Sequence, residues 1–167
     1  MTRPALALLL LAAPAAAAEP DPPFDFGPVP GYTTLIGLQA GGSVSDLDHF
    51  GSDAGAYLGL EASYNRLLEG TWIGASADAS WTFGRDEFLA TLGPQLGHLA
   101  LGLDAGPALR LRDGDPALGA AGRLVIGLGV FAVHVRYARF FAGDPHLMQF
   151  GITLKWPVWA SDTEDAP

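Results

Sequence analysis

The sequence contains no cysteine, and this absence bounds both its chemistry and its sources of stability. Without thiols the chain forms neither a disulfide nor a thiolate metal site, although an exported protein would be permitted disulfides. The same absence argues against a lipid-anchored lipoprotein. Stability must therefore come from the closure of secondary structure.

Basic residues are scarce: the chain has nine Lys and Arg against eighteen Asp and Glu in 167 residues. Removal of an N-terminal signal peptide would take Arg3 with it, leaving eight basic and eighteen acidic residues and a formal charge of −10. Nucleic-acid binding depends on the neutralisation of phosphates by Lys and Arg. The charge balance therefore predicts no nucleic-acid partner.

Long hydrophobic runs are also absent, apart from a short one at the N-terminus. Residues 1–18 have the anatomy of a secretory signal peptide, with Arg3 as the charge, Leu6–Leu11 as the apolar core and Ala16-Ala17-Ala18 before the cleavage site. The apolar run is far shorter than the roughly 20 residues that a membrane-spanning helix needs. We therefore expect export, cleavage after this segment and a mature chain that forms one domain.

The rest of the sequence shows an alternation that recurs eight times, in which every second residue is apolar and its neighbours are small, polar or singly charged. In residues 73–81, IGASADASW, the odd positions are all apolar and the even ones are Gly, Ser and Asp. Successive side chains of a strand point to opposite faces, so such segments predict strands with one apolar and one polar face. The predicted strands are Tyr32–Ala40, Gly55–Asn65, Thr71–Phe83, Glu87–Leu96, His98–Arg112, Ala117–Gly127, Val130–Phe140 and His146–Trp156.

The connections between these strands alternate between long and short. The longest, Gly41–Ala54, carries Asp46, Asp48 and Asp53, whereas the next, Arg66–Gly70, is short. Outer-membrane barrels have short periplasmic turns and longer outer loops. This pattern predicts that the acidic loop is extracellular and that both termini are periplasmic, with residues 19–31 as a periplasmic arm and 158–167 as an acidic C-terminal tail.

Alternation alone does not distinguish a membrane barrel from a soluble barrel of the lipocalin type, which holds its apolar set inside. The polar set here consists of small residues with about one charge per strand, whereas a water-facing surface is normally far more charged. The opposite set carries the bulky residues, and an eight-stranded barrel has an interior only wide enough for side chains to fill. We therefore predict an all-β fold, an eight-stranded antiparallel up-and-down transmembrane β-barrel over residues 32–157, with the bulky set in lipid.

Two groups of candidate site residues follow from this orientation. Aromatic residues near the strand ends would form girdles at the two membrane interfaces, with ordinary core packing as the alternative; they are Tyr64, Trp156 and Trp159 at the periplasmic ends and Trp81, Phe83 and Phe88 at the outer ends. Charged residues of the small set would lie in the lumen, where an unpaired charge is costly. They are expected to form one ion network of Glu61, Asp78, Asp104, Arg110, Arg123, His134, Arg136 and Lys155.

The architecture of Tyr32–Trp156 and its last strand, QFGITLKW at 149–156, resemble the small eight-stranded outer-membrane proteins of the OmpA transmembrane-domain and OmpX type. The resemblance implies a bacterial outer membrane, contact with its lipid and lipopolysaccharide, and insertion by the barrel-assembly machinery. Members of that class usually end on an aromatic residue that this machinery reads, whereas this chain continues to Pro167. An even number of strands closes the sheet without another chain, which predicts a monomer.

Four functions remain open. The first is a structural, adhesive or interaction role of the extracellular loops toward an unidentified partner, with the lumen plugged by its ion network. The others are a narrow pore, whose selectivity the lumen charges would set, a lipid-modifying enzyme, and a soluble periplasmic barrel that binds an apolar ligand.

Neither catalysis nor metal binding is predicted. Acyl transfer needs a nucleophile beside a base, but His134 is followed on the same face by Arg136, and His98 and His146 stand at strand ends. The loop aspartates and Asp113-Gly114-Asp115-Pro116 could offer oxygen ligands to Ca²⁺. They lack EF-hand spacing, however, and Asp-Gly is common turn chemistry. We therefore expect no catalytic residue, metal or cofactor.

Overall fold

The computed structural model describes residues 31–45, 53–142 and 146–162. The candidate signal peptide, residues 19–30 of the expected arm, Asp46 and Asp48 lie outside these ranges. The described residues form eight strands: β1 (Gly31–Val44), β2 (Ala54–Leu68), β3 (Thr71–Thr82), β4 (Glu87–His98), β5 (Leu101–Arg112), β6 (Asp115–Leu128), β7 (Phe131–Phe140) and β8 (His146–Asp162). None of the described segments is a helix long and apolar enough to cross a membrane.

Each strand pairs antiparallel with the next, and β8 pairs with β1, so the sheet closes into a barrel. Direct partners can be followed once around the wall, from Gly31 through Leu67, Trp72, Gly97, Gly102, Val125, His134 and Gly151 to Gly41. The circuit returns to β1 ten residues beyond its start, at position 41 instead of 31. This stagger is what tilts the strands of a closed barrel, and the predicted fold class is confirmed.

The barrel has two distinct ends. The loop end carries the connections β1–β2, β3–β4, β5–β6 and β7–β8, and the turn end carries the other three connections together with the start of β1 and the end of β8. At the turn end the strand boundaries differ from expectation, because β8 continues to Asp162 and pairs with β1 as far as Gly31. The predicted barrel boundary at residue 157 and tail from 158 are therefore wrong for residues 158–162.

Other boundaries shift for local reasons. A bulge opposite Thr34 and Leu35 takes up the extra residue that follows Pro157, so the alternation is broken there although pairing continues. β1 extends to Val44 through a Gly-Gly-Ser segment whose small residues carry no apolar signal. His98 ends β4 and does not begin β5.

The ladder between β4 and β5 is interrupted in its middle. Direct pairing stops at Thr91 with Ala108 and resumes at Gln95 with Asp104. Pro94 and Pro107 stand in the intervening stretch, one on each strand, and proline has no N–H to donate to a ladder. This seam is therefore held by fewer backbone hydrogen bonds than the rest of β4 and β5.

The distribution of side chains is inverted relative to a soluble protein. Leucines in mid-wall point outward, with Leu60 60% and Leu103 53% exposed, whereas the lumen residues Glu61, Arg123 and Arg136 are only 1–2% exposed. An apolar exterior of this kind is the surface that a barrel presents to lipid. The lumen is a packed polar core.

Candidate functional site

The charged residues of the lumen are arranged as two like-charged pairs on opposite walls. Glu61 and Asp78 are direct partners across β2 and β3, and Arg123 and Arg136 are direct partners across β6 and β7. Like charges in directly opposed positions destabilise a strand pair. In an eight-stranded barrel β2–β3 and β6–β7 face each other, so each wall supplies the charge that the other one needs.

The two walls meet through short ion pairs. Arg123 Nη1 donates to Glu61 Oε2 at 2.6 Å and its Nε to Asp104 Oδ2 at 2.6 Å. Arg136 Nη2 forms an ion pair with Asp78. Lys155 Nζ donates to the second oxygen of Glu61 at 2.6 Å. Three acids and three bases therefore balance one another in the middle of the lumen.

Neutral side chains extend these ion pairs to every strand. Gln39 Nε2 donates to Glu61 at 2.8 Å, Thr91 Oγ1 to Asp78 at 2.7 Å, and Arg136 Nη1 to Gln149 Oε1 at 3.1 Å. We call the whole set the central network: Gln39 (β1), Glu61 (β2), Asp78 (β3), Thr91 (β4), Asp104 (β5), Arg123 (β6), Arg136 (β7), Gln149 and Lys155 (β8). Because partners lie on distant strands, the network ties the closed barrel together.

His134 differs from the prediction that placed it in the ion network. Its Nε2 lies 2.6 Å from the Tyr57 hydroxyl and its Nδ1 lies 3.1 Å from the Thr153 hydroxyl. Both ring nitrogens are thus engaged by neutral hydroxyl groups. The imidazole is 1% exposed, so no lipid or soluble substrate reaches it.

Arg110 lies on β5 nearer the loop end than Asp104, the β5 member of the central network. Its guanidinium carbon is 4.3 Å from the centre of the Phe140 ring, in a cation–π arrangement near the loop end. Arg110 lines an open cavity of about 410 Å³ together with Arg112, Asp113 and Asp115. Arg110 is buried on the inner face, and its neighbours there depend on the stagger of the strands.

Arg85, which the sequence reasoning missed, holds the loop end together. Its Nη1 donates to Ser45 and to the backbone oxygen of Asp53, and its Nη2 donates to Ser43 and Glu87. Ser43 and Ser45 lie just before the β1–β2 loop, and Asp53 lies just after it. Arg85, in the β3–β4 connection, therefore binds both ends of that loop. Arg85 stands in a turn, where no periodicity marks the direction of a side chain.

Asp53 is the one predicted extracellular-loop residue within the described ranges. Its partial burial would raise the carboxyl pKa, but the hydrogen bond from Ser45 and the charges of Arg85 and Arg112 outweigh this, so the pKa lies below its ordinary value of 3.8. Arg112 Nη2 is 3.3 Å from the carboxylate. Asp53 is therefore ionised at neutral pH, where it forms ion pairs with Arg85 and Arg112.

The turn end of the lumen is lined by a tryptophan. Trp72 lies against Gly97 and Gly102, where a Cβ on either glycine would overlap its indole ring. Two adjoining cavities, of about 510 and 220 Å³, share Trp72, Leu99 and Ala100 as wall residues. The inner phase of β3 includes position 72, so this inward tryptophan could have been predicted from the alternation.

The predicted interface aromatics all lie on the outer wall. Tyr64, Trp81, Phe83, Trp156 and Trp159 are 40–51% exposed, and Phe88, the partner of Trp81, is half-buried. At the turn end Tyr64 stacks on Trp159 with ring centres 6.4 Å apart, and Tyr32 stacks on Tyr64 at 5.8 Å. These rings form a continuous aromatic cluster on that side of the barrel.

No group of three or more His, Cys, Asp or Glu side chains among the described residues is arranged to hold a metal ion. His98 Nδ1 lies 3.1 Å from the Thr71 hydroxyl, and His146 Nδ1 lies 2.7 Å from the Tyr137 hydroxyl. Both of these pairs are exposed.

The described strands form a closed, eight-stranded, all-antiparallel β-barrel. Its large apolar side chains face outward and its charged side chains are buried in the lumen. Solved structures with a similar fold include the outer membrane protein Ail of Yersinia pestis in a phospholipid bilayer nanodisc, at 10% identity and a TM-score of 0.46, covering 73% of this chain and 99% of that one. Neisserial surface protein A is similar at 10% identity and a TM-score of 0.47, covering 75% of this chain and 95% of that one. No protein-family model and no curated protein matches the sequence.

Proposed function

We propose that this protein spans the bacterial outer membrane and acts through its extracellular connections, in a structural, adhesive or interaction role, while its lumen stays closed. The observation that carries the proposal is the inverted burial, with Leu60 60% exposed on the wall and its neighbour Glu61 2% exposed in the lumen. A soluble barrel with this surface would present a large apolar patch to water.

The loop end supports the interaction role. Arg85 holds the two ends of the β1–β2 connection together through Ser43, Ser45 and Asp53. Binding residues are often carried by loops that a rigid scaffold positions.

The buried His134 is not placed to act as the base of a lipid-modifying enzyme. His134 is enclosed between Tyr57 and Thr153 in the lumen, and a lipid-modifying enzyme needs its base and nucleophile within reach of an acyl chain.

Location is tested by membrane fractionation followed by gel electrophoresis of heated and unheated samples. A folded membrane barrel is expected in the outer-membrane fraction and should migrate differently before and after heating. Recovery of the native chain in the soluble periplasm would overturn the proposal.

Orientation is tested by single cysteines, which are unambiguous because the chain has none. Asp113→Cys at the loop end should react with a membrane-impermeant maleimide on intact cells, and Glu69→Cys at the turn end should react only after the membrane is opened. The reverse pattern would place the loops in the periplasm.

The role of the loop is tested by replacement of residues 46–52 with a Gly/Ser segment of equal length. Cells that carry the natural chain are expected to bind components of an extracellular-matrix and glycan panel that cells with the replacement do not bind, at equal surface levels. Equal binding by both cell types would contradict a role of this loop.

A further inference from the structure

Two cavities at the turn end of the lumen are not filled by the side chains of the central network. They adjoin and share Trp72, Leu99 and Ala100, and the smaller one also contacts Leu35 and Lys155. Their walls are mainly apolar with a few polar groups, which is the usual composition of a binding cavity.

We propose that the chain's own segment immediately before β1, residues 19–30, docks in these cavities, with Phe24 and Phe26 against Trp72 and Leu99. This inference rests on the geometry of the barrel and does not depend on the proposed location or on the loop role.

The position of the segment supports this occupant. It joins β1 at Gly31, whose direct partner is Leu67, and Leu67 is itself a wall residue of the larger cavity. The segment therefore leaves the barrel at the rim of the cavity that we assign to it.

The length of the segment is sufficient. Phe26 precedes Gly31 by five residues and Phe24 by seven, with Pro28 and Pro30 between them. At about 3.1 Å per residue, the rise of a proline-favoured extended chain, they reach about 16 and 22 Å. Gly31 is the direct partner of Leu67, and Leu67 of Trp72, so Trp72 lies two strand spacings of about 4.8 Å from Gly31 and either ring can reach it.

The charges are complementary as well. Residues 19–30 contain Glu19, Asp21 and Asp25 and no basic residue. The Lys155 ammonium uses one of its three donors on Glu61, and its side chain is 17% exposed on the wall of the smaller cavity. In the sequence Asp25 stands between Phe24 and Phe26. Its carboxylate therefore complements the charge of Lys155, and the two rings complement the apolar wall of the cavity.

Disulfide trapping tests the contact, and the absence of native cysteine makes it specific. Gly27→Cys, which keeps both phenylalanines, is combined with Ala100→Cys at the cavity, and in a matched control with Asp113→Cys at the opposite end. We expect oxidation to give an intramolecular product, seen as a shifted monomer band, in the first pair only. Equal trapping of both pairs, no trapping at Ala100, or trapping only as a dimer would overturn the proposal, the last outcome assigning the cavity to a second copy.

Trp72 fluorescence provides an independent measurement. With Trp81, Trp156 and Trp159 changed to Phe, Trp72 is the sole tryptophan of the folded barrel. Phe24→Ser/Phe26→Ser should shift its emission to longer wavelength and raise its quenching by acrylamide, and a synthetic peptide of residues 19–30 should reverse both changes. Asp21→Asn alone should change neither strongly. Identical quenching with and without the two phenylalanines, or protection that follows the detergent and not the segment, would overturn the proposal.

Discussion

At the scale of single residues, the lumen depends on a few side chains that each satisfy several partners. Arg123 binds Glu61 and Asp104 at 2.6 Å each and is 2% exposed. A buried ion pair is weak evidence of net stabilisation, but removal of one partner leaves an uncompensated charge in a medium of low dielectric constant.

Arg123→Met should therefore destabilise the barrel by about 3–5 kcal/mol, measured by urea unfolding in lipid vesicles. Lys155→Met is the matched control and should cost less, because Glu61 keeps its 2.6 Å ion pair with Arg123 and the Lys155 side chain is itself 17% exposed. Adding Glu61→Gln to Arg123→Met should recover part of the loss, since the two residues are directly coupled. Equal losses for Arg123→Met and Lys155→Met would contradict this account.

Trp72 makes a second residue-scale prediction. Gly102→Ala places a Cβ into the indole ring and should cost about 1–3 kcal/mol through overpacking. Gly122→Ala is the control, because the nearest atom to the added Cβ is 3.8 Å away. In a Trp72→Leu background the cost of Gly102→Ala should shrink, and an unchanged cost in the same unfolding assay would show that the ring is not the obstacle.

Asp53 makes a prediction about pH. Its pKa is lowered in the folded state, so its contribution is present above its ordinary pKa of 3.8 and is lost as pH falls through the lower folded value. NMR titration of the Asp53 carboxyl carbon should give a pKa below 3.8 in the natural chain and a higher one in Arg85→Gln. Arg66→Gln, at the turn end, is the control and should leave the titration of Asp53 unchanged. An Asp53 pKa that does not depend on Arg85 would contradict the interaction between these two residues.

At the scale of elements, alternation was sufficient to identify all eight strands and the face of each, but not their ends. The small residues at the end of β1 and Pro157 in β8 break the pattern while backbone pairing continues. Contacts across the lumen could not be predicted either: Glu61 and Arg123 are 62 positions apart, and only the ten-residue stagger of the closed sheet brings them together.

The outer wall of β2 makes an element-scale prediction. Leu60 lies at mid-strand and Leu68 at its turn-end terminus. An arginine at the bilayer midplane costs about 2–4 kcal/mol and one near the interface about 0–1 kcal/mol. Leu60→Arg should therefore destabilise the barrel in vesicles much more than Leu68→Arg, and equal effects would contradict a lipid-facing wall.

At the scale of the whole molecule, the lumen is expected to be closed to ions. Arg123 and Arg136 come from one wall and bond to acids of the other, so their side chains cross the interior. The natural chain should give no stable conductance in planar bilayers, whereas Arg123→Ala/Arg136→Ala should give small conductance steps. A natural chain that conducts as well as the variant would favour the narrow pore.

The division of charge between the two walls has a consequence for folding. Glu61 and Asp78 belong to the half β1–β4, and Arg123 and Arg136 to the half β5–β8; the halves meet at the β8–β1 pairing and at the β4–β5 pairing, which is interrupted near Pro94 and Pro107. Asp104 pairs with Arg123 within the second half, but Glu61, Asp78 and Arg136 gain their ion pairs only when both halves come together. Closure therefore brings most of the electrostatic gain in one step, and we expect unfolding to be a single cooperative transition with no stable half-open sheet.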